Sequence, residues 1–170
     1  MGILSGNQKK EPLHYGEVYN LFSFLVAANG FHSMLQTYGN HTGDRDLKKF
    51  IEELIPGVKS EIKEVEEVLK ENGIALPPAA PDKPLATLEE IPPGAKFADP
   101  EISASVSKGL AEGLVGCSTI IAQCTREDIA MLFGQYHMNK AQAAGKALRL
   151  NKEKGWLIPP PLHTKIPSED

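Results

Sequence analysis

The sequence contains few cysteines, and this shortage excludes one class of protein. Two cysteines, Cys117 and Cys124, are too few for a small secreted fold that depends on a disulfide framework. They lie seven positions apart in one predicted helix, roughly 10 Å along its axis, so they cannot bond to each other there. We expect both to be small core residues in a reducing cell interior.

The sequence also lacks a basic excess and a long apolar run. A net charge of −4 and a pI near 5.8 argue against a nucleic-acid partner, because phosphate binding needs a clustered basic face. The most apolar run, residues 21–28, is far shorter than the ~20 residues that cross a bilayer. Residues 1–10 have no apolar core of a secretory signal. We therefore expect a cytoplasmic protein with neither a nucleic-acid nor a membrane partner.

What the sequence does contain is an internal duplication. The stretch Asp44–Pro78 recurs at an offset of 82 positions without a gap, and its apolar positions keep their phase. A fixed offset of this kind is typical of a duplicated supersecondary unit. The matched pairs include Asp46 with Asp128, Leu47 with Ile129, Lys70 with Lys152, Glu71 with Glu153, Gly73 with Gly155, and Pro77-Pro78 with Pro159-Pro160.

The spacing of apolar residues predicts four helices. Apolar positions recur at three and four residues over 13–38, 44–72, 99–124 and 125–154. Gly39 and Asn40 are a predicted stop, and Asp44 a predicted N-cap. The second helix contains Pro56, but its apolar stripe stays in phase, so we expect a kink and no break. Asp99 as an N-cap and a capping box over 125–128 are predicted to open the last two helices.

The connections predict an all-α, four-helix bundle with one long crossover, which is the ferritin-like connectivity. We expect a single ferritin-like domain over 1–170. It comprises a hairpin over 13–78, a proline-rich crossover over 79–98, and a second hairpin over 99–160.

Three segments resemble a known family. Asp44–Lys49, Leu69–Pro78 and Asn151–Pro160 are similar to a family of ferritin-like proteins of spore-forming bacilli, often labelled as spore coat proteins. The ending Glu153-Lys154-Gly155-Trp156, followed by Pro159-Pro160, also resembles the spore coat protein F family. The resemblance implies a ferritin-like bundle and an association with sporulation or the coat. It supplies no catalytic residues.

The ferritin-like fold raises the question of a metal site. A standard di-iron centre needs two glutamates and two Glu-x-x-His pairs on the helices, and the only such pair here is Glu11 with His14, before the first helix. We therefore expect no standard di-iron centre. His32, Glu61 and His137 could instead hold one zinc or iron ion together with a water. The alternative for His32 is a buried neutral histidine with one hydrogen-bond partner.

Three functions are compatible with these observations. The first is a non-enzymatic structural or interaction protein without a cofactor, with protein partners such as other coat proteins or a second copy in a homodimer. The second is a metal-binding protein with a degenerate site at His32, Glu61 and His137. The third is a small-ligand binder with a pocket between helices 1 and 3, where small residues leave space. The small residues Ser105, Gly109 and Gly113 recur every four positions, and their alternative role is close packing inside the bundle.

The single tryptophan has two interpretations. Trp156 corresponds to Ile74 in the duplication, so we expect it to fold back over the end of the last helix and fix that end to the core. The alternative is an exposed partner-binding side chain.

Overall fold

The computed structural model describes residues 11–161 and residue 163, and these form four long helices. The helices are α1 (Tyr15–His41), α2 (Arg45–Glu71), α3 (Asp99–Gln123) and α4 (Glu127–Glu153). The crossover adds two short 3₁₀ turns, at Leu88–Glu90 and Pro93–Ala95. No strand occurs in the part of the chain that the structure describes, so the predicted all-α class is confirmed. Predictions for residues 1–10 lie outside the described residues.

The duplication reappears in the helix bounds. Helices α2 and α4 begin and end 82 positions apart, and α1 and α3 end 82 positions apart. Gly73 and Gly155 adopt φ values of 72° and 70°, the left-handed conformation that glycine allows at little cost. The backbone N–H of Ile74 donates to the carbonyl of Leu69, and that of Trp156 donates to Asn151, each at 2.9 Å. Both hairpins therefore end in the same Schellman-type cap.

The bundle is closed by contacts within and between the hairpins. Helix α1 packs on α2 and α3 packs on α4, while α1 also contacts α3 and α2 contacts α4. The crossover is attached to the first hairpin through Asp82, which accepts from Lys59 Nζ at 2.8 Å and Gln36 Nε2 at 3.0 Å. These contacts hold the connector beside α1 and α2 while it carries the chain to α3.

Two carboxylates, Glu17 and Asp99, join the hairpins by binding backbone N–H groups of the turn in the other hairpin. Two predicted N-terminal caps are therefore wrong. Glu17 of α1 accepts from the backbone N–H groups of Thr125 and Arg126, at 2.8 Å and 2.9 Å, in the α3–α4 turn. Asp99 lies 82 positions later and accepts from Gly43 N–H at 3.1 Å in the α1–α2 turn. The predicted capping box over 125–128 is wrong, because the N-cap is Arg126 and the carboxylate comes from α1. Asp99 is not an N-cap either, since Ala98 holds that position.

The other predicted helix boundaries had mixed outcomes. Asp44 is the N-cap of α2, as predicted, and accepts from the N–H groups of Asp46 and Leu47. Helix α2 continues without a break through Pro56. The predicted stop at Gly39 and Asn40 is wrong, because α1 continues to His41.

The core consists of two apolar clusters, one toward each end of the bundle. The first is built around Leu35, Leu47, Ile51, Ile102 and Val106. The second is built around Leu21, Leu25, Leu69, Ile129 and Phe133. Burying each such side chain contributes roughly 1.5–3 kcal/mol, so most of the favourable free energy of folding comes from these clusters.

Candidate functional site

A buried ion pair lies at mid-height in the bundle, between the two core clusters. Glu61 lies on α2 between Val58 of one cluster and Val65 of the other, and its Oε2 accepts a hydrogen bond from Lys140 Nζ on α4. The side chains of Glu61 and Lys140 are only 9% and 13% exposed. Burial raises the pKa of the Glu61 carboxyl above its usual value, and the Lys140 ammonium offsets part of that rise.

Aromatic rings surround the ammonium group of this pair. Lys140 Nζ lies 5.6 Å from the ring centroid of Phe24 and 5.8 Å from that of Tyr136, within the range of cation–π attraction. Phe24 and Phe133 pack edge to face at 4.8 Å, and Tyr136 OH donates to Glu64 at 3.1 Å. The Lys140 ammonium is thus held by the Glu61 carboxylate and by the faces of the Phe24 and Tyr136 rings.

A cavity of about 360 Å³ opens beside this pair, between α1 and α3. Its α1 wall includes Phe24, Ala28 and Phe31, and its α3 wall includes Gly109 and Leu110. Glu61 and Lys140 also line it, so the buried charges face the cavity. The cavity lies between α1 and α3, where the small residues of the third helix led us to expect space.

The glycines of α3 make room for side chains from two other helices. A Cβ atom at Gly109 would collide with the ring of Phe31 on α1. A Cβ at Gly113 would come within 2.8 Å of the Lys140 side chain on α4. The close packing predicted for Gly109 and Gly113 is therefore packing against these two side chains, and Gly113 allows Lys140 to reach Glu61.

The three predicted metal-ligating residues are not brought into one group. Glu61 is paired with Lys140, and His137 is half-buried on α4. His32 Nδ1 lies 3.8 Å from Asp82 Oδ1 in the crossover. In the described part of the chain, no three His, Cys, Asp or Glu side chains are arranged to hold a metal ion. Metal binding by these three residues stays a prediction, and a metal at Glu61 would have to displace the Lys140 ammonium.

His32 has the surroundings of a structural core histidine. Its side chain is buried, and burial lowers the pKa of the imidazole while the nearby Asp82 carboxylate opposes that shift. Its Nε2 has no hydrogen-bond partner within the residues that the structure describes. Burial agrees with the alternative of a buried neutral histidine, but the one hydrogen-bond partner that this alternative expected is not seen among the described residues, since Asp82 Oδ1 lies 3.8 Å from Nδ1.

Neither cysteine is a reactive thiol at neutral pH. Burial raises the pKa of both Cys117 and Cys124 to about 11, so both remain protonated at neutral pH. Both are free cysteines, with Cys117 fully buried in the second core cluster. The predicted role of Cys117 as a small core residue is confirmed.

Sequence reasoning missed the structural roles of several polar residues, among them Lys140 and Glu17. Lys140 lies four positions after Tyr136 and seven before Ala147, both buried on the inner face of α4. A lysine at a core position of a helix was a signal that could have identified it. Glu17 closes a local capping box with His14, but its link to the second hairpin gave no signal, because Thr125 and Arg126 are more than 100 residues away along the chain.

Comparison with known proteins identifies the family. A model of the DUF3231 family, described as proteins of unknown function, matches residues 1–167. The chain belongs to the DUF3231 family. The uncharacterised protein YvdQ of Bacillus subtilis strain 168 is 56% identical to this chain over 163 residues, which are 96% of each chain.

Solved structures extend the comparison of this DUF3231 chain to its fold. A crystal structure named a "putative spore coat protein", from Bacillus halodurans C-125, shares 54% identity and a TM-score of 0.90 over 92% of this chain and 99% of that chain. A two-domain protein of Anabaena variabilis with DJ-1-like and ferritin-like domains matches with a TM-score of 0.65 and 16% identity, over 96% of this chain and 43% of that one. The predicted ferritin-like fold is confirmed. Among the described residues, no helix is long and apolar enough to cross a membrane.

Proposed function

We propose that this DUF3231 chain is a non-enzymatic structural protein of the spore coat, which self-associates through the outer face of α1. The coat assignment is supported by the name of the Bacillus halodurans relative. A non-enzymatic role is supported by the chemistry of the buried groups, because both thiols are protonated at neutral pH and the Glu61 carboxylate is engaged by Lys140.

The observation that carries this proposal is the lack of charge on the outside of α1. The only Asp, Glu, Lys or Arg in Tyr15–His41 is Glu17, and Glu17 is buried. Large apolar or aromatic side chains are instead exposed there: Tyr15, Tyr19, Phe22, Val26 and Met34. Protein interfaces are enriched in aromatic residues and methionine and depleted of charge at their centre. A helix that is apolar on both faces is normally buried on both.

The spacing of these residues favours a second copy of this chain as the occupant. Tyr15, Tyr19, Phe22 and Val26 follow each other at four, three and four positions, so they form one stripe along the helix. Two antiparallel α1 helices related by a two-fold axis near residue 24 would pair Phe22 with Val26 of the second copy. The same axis would place Tyr19 opposite residues 29–30, where a Cβ at Gly30 would meet nothing within 4 Å.

Fractionation of spores tests the proposed function. The tagged chain is expressed in sporulating Bacillus subtilis, and purified spores are washed in high salt before the coat is extracted with detergent. We expect wild type in the coat extract. We expect the Phe22→Glu/Val26→Glu variant to be made in equal amount but lost in the wash, because it cannot assemble. Wild type found only in the mother-cell lysate would contradict the proposal.

A further inference from the structure

The cavity between α1 and α3 has the size and the walls of a small-molecule site. Its volume of about 360 Å³ lies within the ~300–1,000 Å³ range of ligand pockets. Its walls are largely apolar, with Phe24 and Phe31 on α1 and Leu110 and Ile120 on α3. The cavity opens to the surface beside Ala27, Glu112 and Thr119, which are exposed, so a ligand can enter it without separating the helices.

The pair of Lys140 and Glu61 lies along the length of the cavity, with Lys140 beside Phe24 and Gly113. An ammonium group has three N–H donors, and Glu61 accepts one of them. Replacing a buried ion pair with apolar residues is often neutral or stabilising, so stability alone does not explain this pair. Because both groups line the cavity, the pair offers a ligand one buried charged contact in a largely apolar space. The other carboxylate of the lining, Glu112, is exposed and pairs with Lys108 at 3.6 Å.

The arrangement favours an anionic head group over a cationic one. Lys140 already occupies the place of a cation, between the Glu61 carboxylate and the rings of Phe24 and Tyr136. A ligand ammonium would have to displace it, whereas a ligand carboxylate can accept from the remaining N–H groups. Burial raises the pKa of Glu61, so this carboxyl can take up a proton when a second carboxylate arrives. Protonated Glu61 can then donate a hydrogen bond to the ligand.

The dimensions of the cavity set the length of the ligand. If a methylene group takes about the ~30 Å³ of a water molecule, the cavity holds on the order of ten of them. Along α1 the lining extends from Asn20 to Phe31, and the part from Phe24, beside Lys140, to Phe31 is roughly 10 Å of helix. We propose that this cavity binds a single-chain fatty acid of about ten carbons, with its carboxylate at Lys140 and its hydrocarbon chain between α1 and α3.

Calorimetric titration with three ligands of equal chain length tests the proposal on the full chain. We expect decanoate to bind once per chain and more tightly than decylamine or 1-decanol, because only the carboxylate can pair with Lys140. The Lys140→Met variant should bind decanoate roughly 10- to 100-fold more weakly, the usual effect of losing a hydrogen bond to a charged group. Equal or tighter binding of decylamine or decanol would overturn the proposed head group.

Two further variants separate recognition by Lys140 from a purely structural role of the pair. Glu61→Gln should bind decanoate at least as tightly as wild type, because the amide competes less for the ammonium. A similar loss in Glu61→Gln and Lys140→Met would overturn the proposal. Lys146→Met is the matched control, since Lys146 is an exposed lysine of α4 that pairs with Glu53 at 3.2 Å, and its binding should be unchanged.

A cavity-filling variant tests the location without disturbing the ion pair. Gly116 lines the cavity, and a Cβ there would meet no atom within 4 Å, so the position accepts a side chain and Gly116→Leu adds one beside the cavity. We expect Gly116→Leu to abolish decanoate binding and to melt no lower than wild type. Gly145→Leu makes the same change elsewhere in a helix, away from the cavity, and should bind normally. Binding retained in Gly116→Leu would overturn the proposed location.

Discussion

Glu17 joins the two hairpins through a single buried carboxylate. Burial alone would raise the pKa of Glu17, but the backbone N–H groups of Arg126, His14 and Thr125 together hold it below its usual value of 4.5. The ionised form is therefore stabilised by folding. Because a lowered pKa adds stability only above the unfolded value, this contribution is present at neutral pH and is lost as the pH falls below about 4.5.

We expect Glu17→Gln to lower the free energy of unfolding by about 1–3 kcal/mol at pH 7, because charge-assisted hydrogen bonds are lost. The difference from wild type should shrink as the pH falls below 4.5. Urea unfolding at pH 7 and pH 3.5 measures both values. Glu67→Gln, which removes an exposed carboxylate paired with Lys63, should change stability by less than ~0.5 kcal/mol. An equal effect of the two substitutions would contradict the role of Glu17.

Lys140 also determines what we expect of metal binding. Its ammonium occupies one oxygen of Glu61, and a positive charge there repels a cation. Protein purified and dialysed with iron or zinc should therefore carry well under one equivalent by elemental analysis. Stoichiometric metal that is lost in His32→Ala would show that His32, Glu61 and His137 form a site in solution.

Sequence alone predicted some residues of this molecule well and others poorly, for a physical reason. The roles of Asp44, Gly73 and Gly155 follow from their nearest neighbours in the chain, and these predictions are confirmed. Asp99 and Thr125 were misassigned because the carboxylates at the turns bind across the bundle. Lys140 reaches Glu61 past Gly113, a contact that no local pattern encodes.

The ends of α2 and α4 offer a matched test of the duplication at the scale of helices. Gly73 and Gly155 both have positive φ, so replacing either with alanine should cost roughly 1 kcal/mol. Gly134 and Gly145 lie inside α4 in open space, so the same substitution there should stabilise by up to ~1 kcal/mol. Thermal melting of the four variants measures these changes. Opposite signs for Gly73→Ala and Gly155→Ala would contradict equivalent helix ends.

Trp156 lies beyond the cap of α4 as Ile74 lies beyond that of α2. It is half-buried against the first core cluster, as Ile74 is against the second. We expect Trp156→Ala to cost about 1–3 kcal/mol, less than a fully buried tryptophan, and so to lower the melting temperature by several degrees. Since Trp156 is the only tryptophan, native fluorescence should be blue-shifted. Emission typical of an exposed indole with unchanged melting would favour a partner-binding role instead.

At the scale of the whole molecule, the outer surfaces of the helices differ in chemistry. Helix α2 carries ion pairs on its exposed side, such as Lys63 with Glu67 and Lys70 with Glu66. Helix α1 exposes Tyr15, Tyr19 and Val26 and no charged side chain. The spacing of apolar residues in α1 correctly predicted a helix. Because apolar residues lie on two faces of α1, the spacing did not show which face meets the core. The proposed assembly through α1 would account for the lack of charge on its outer face.

Self-association through α1 is the central claim, and sedimentation equilibrium tests it most directly. We expect wild type at tens of micromolar to have twice the 18.5 kDa mass of one chain. Phe22→Glu should sediment as a monomer with unchanged helical circular dichroism, because it places a charge at the centre of the stripe. Met131→Glu puts the same charge on exposed α4 and should remain a dimer. A monomeric wild type, or a dimeric Phe22→Glu variant, would contradict the account.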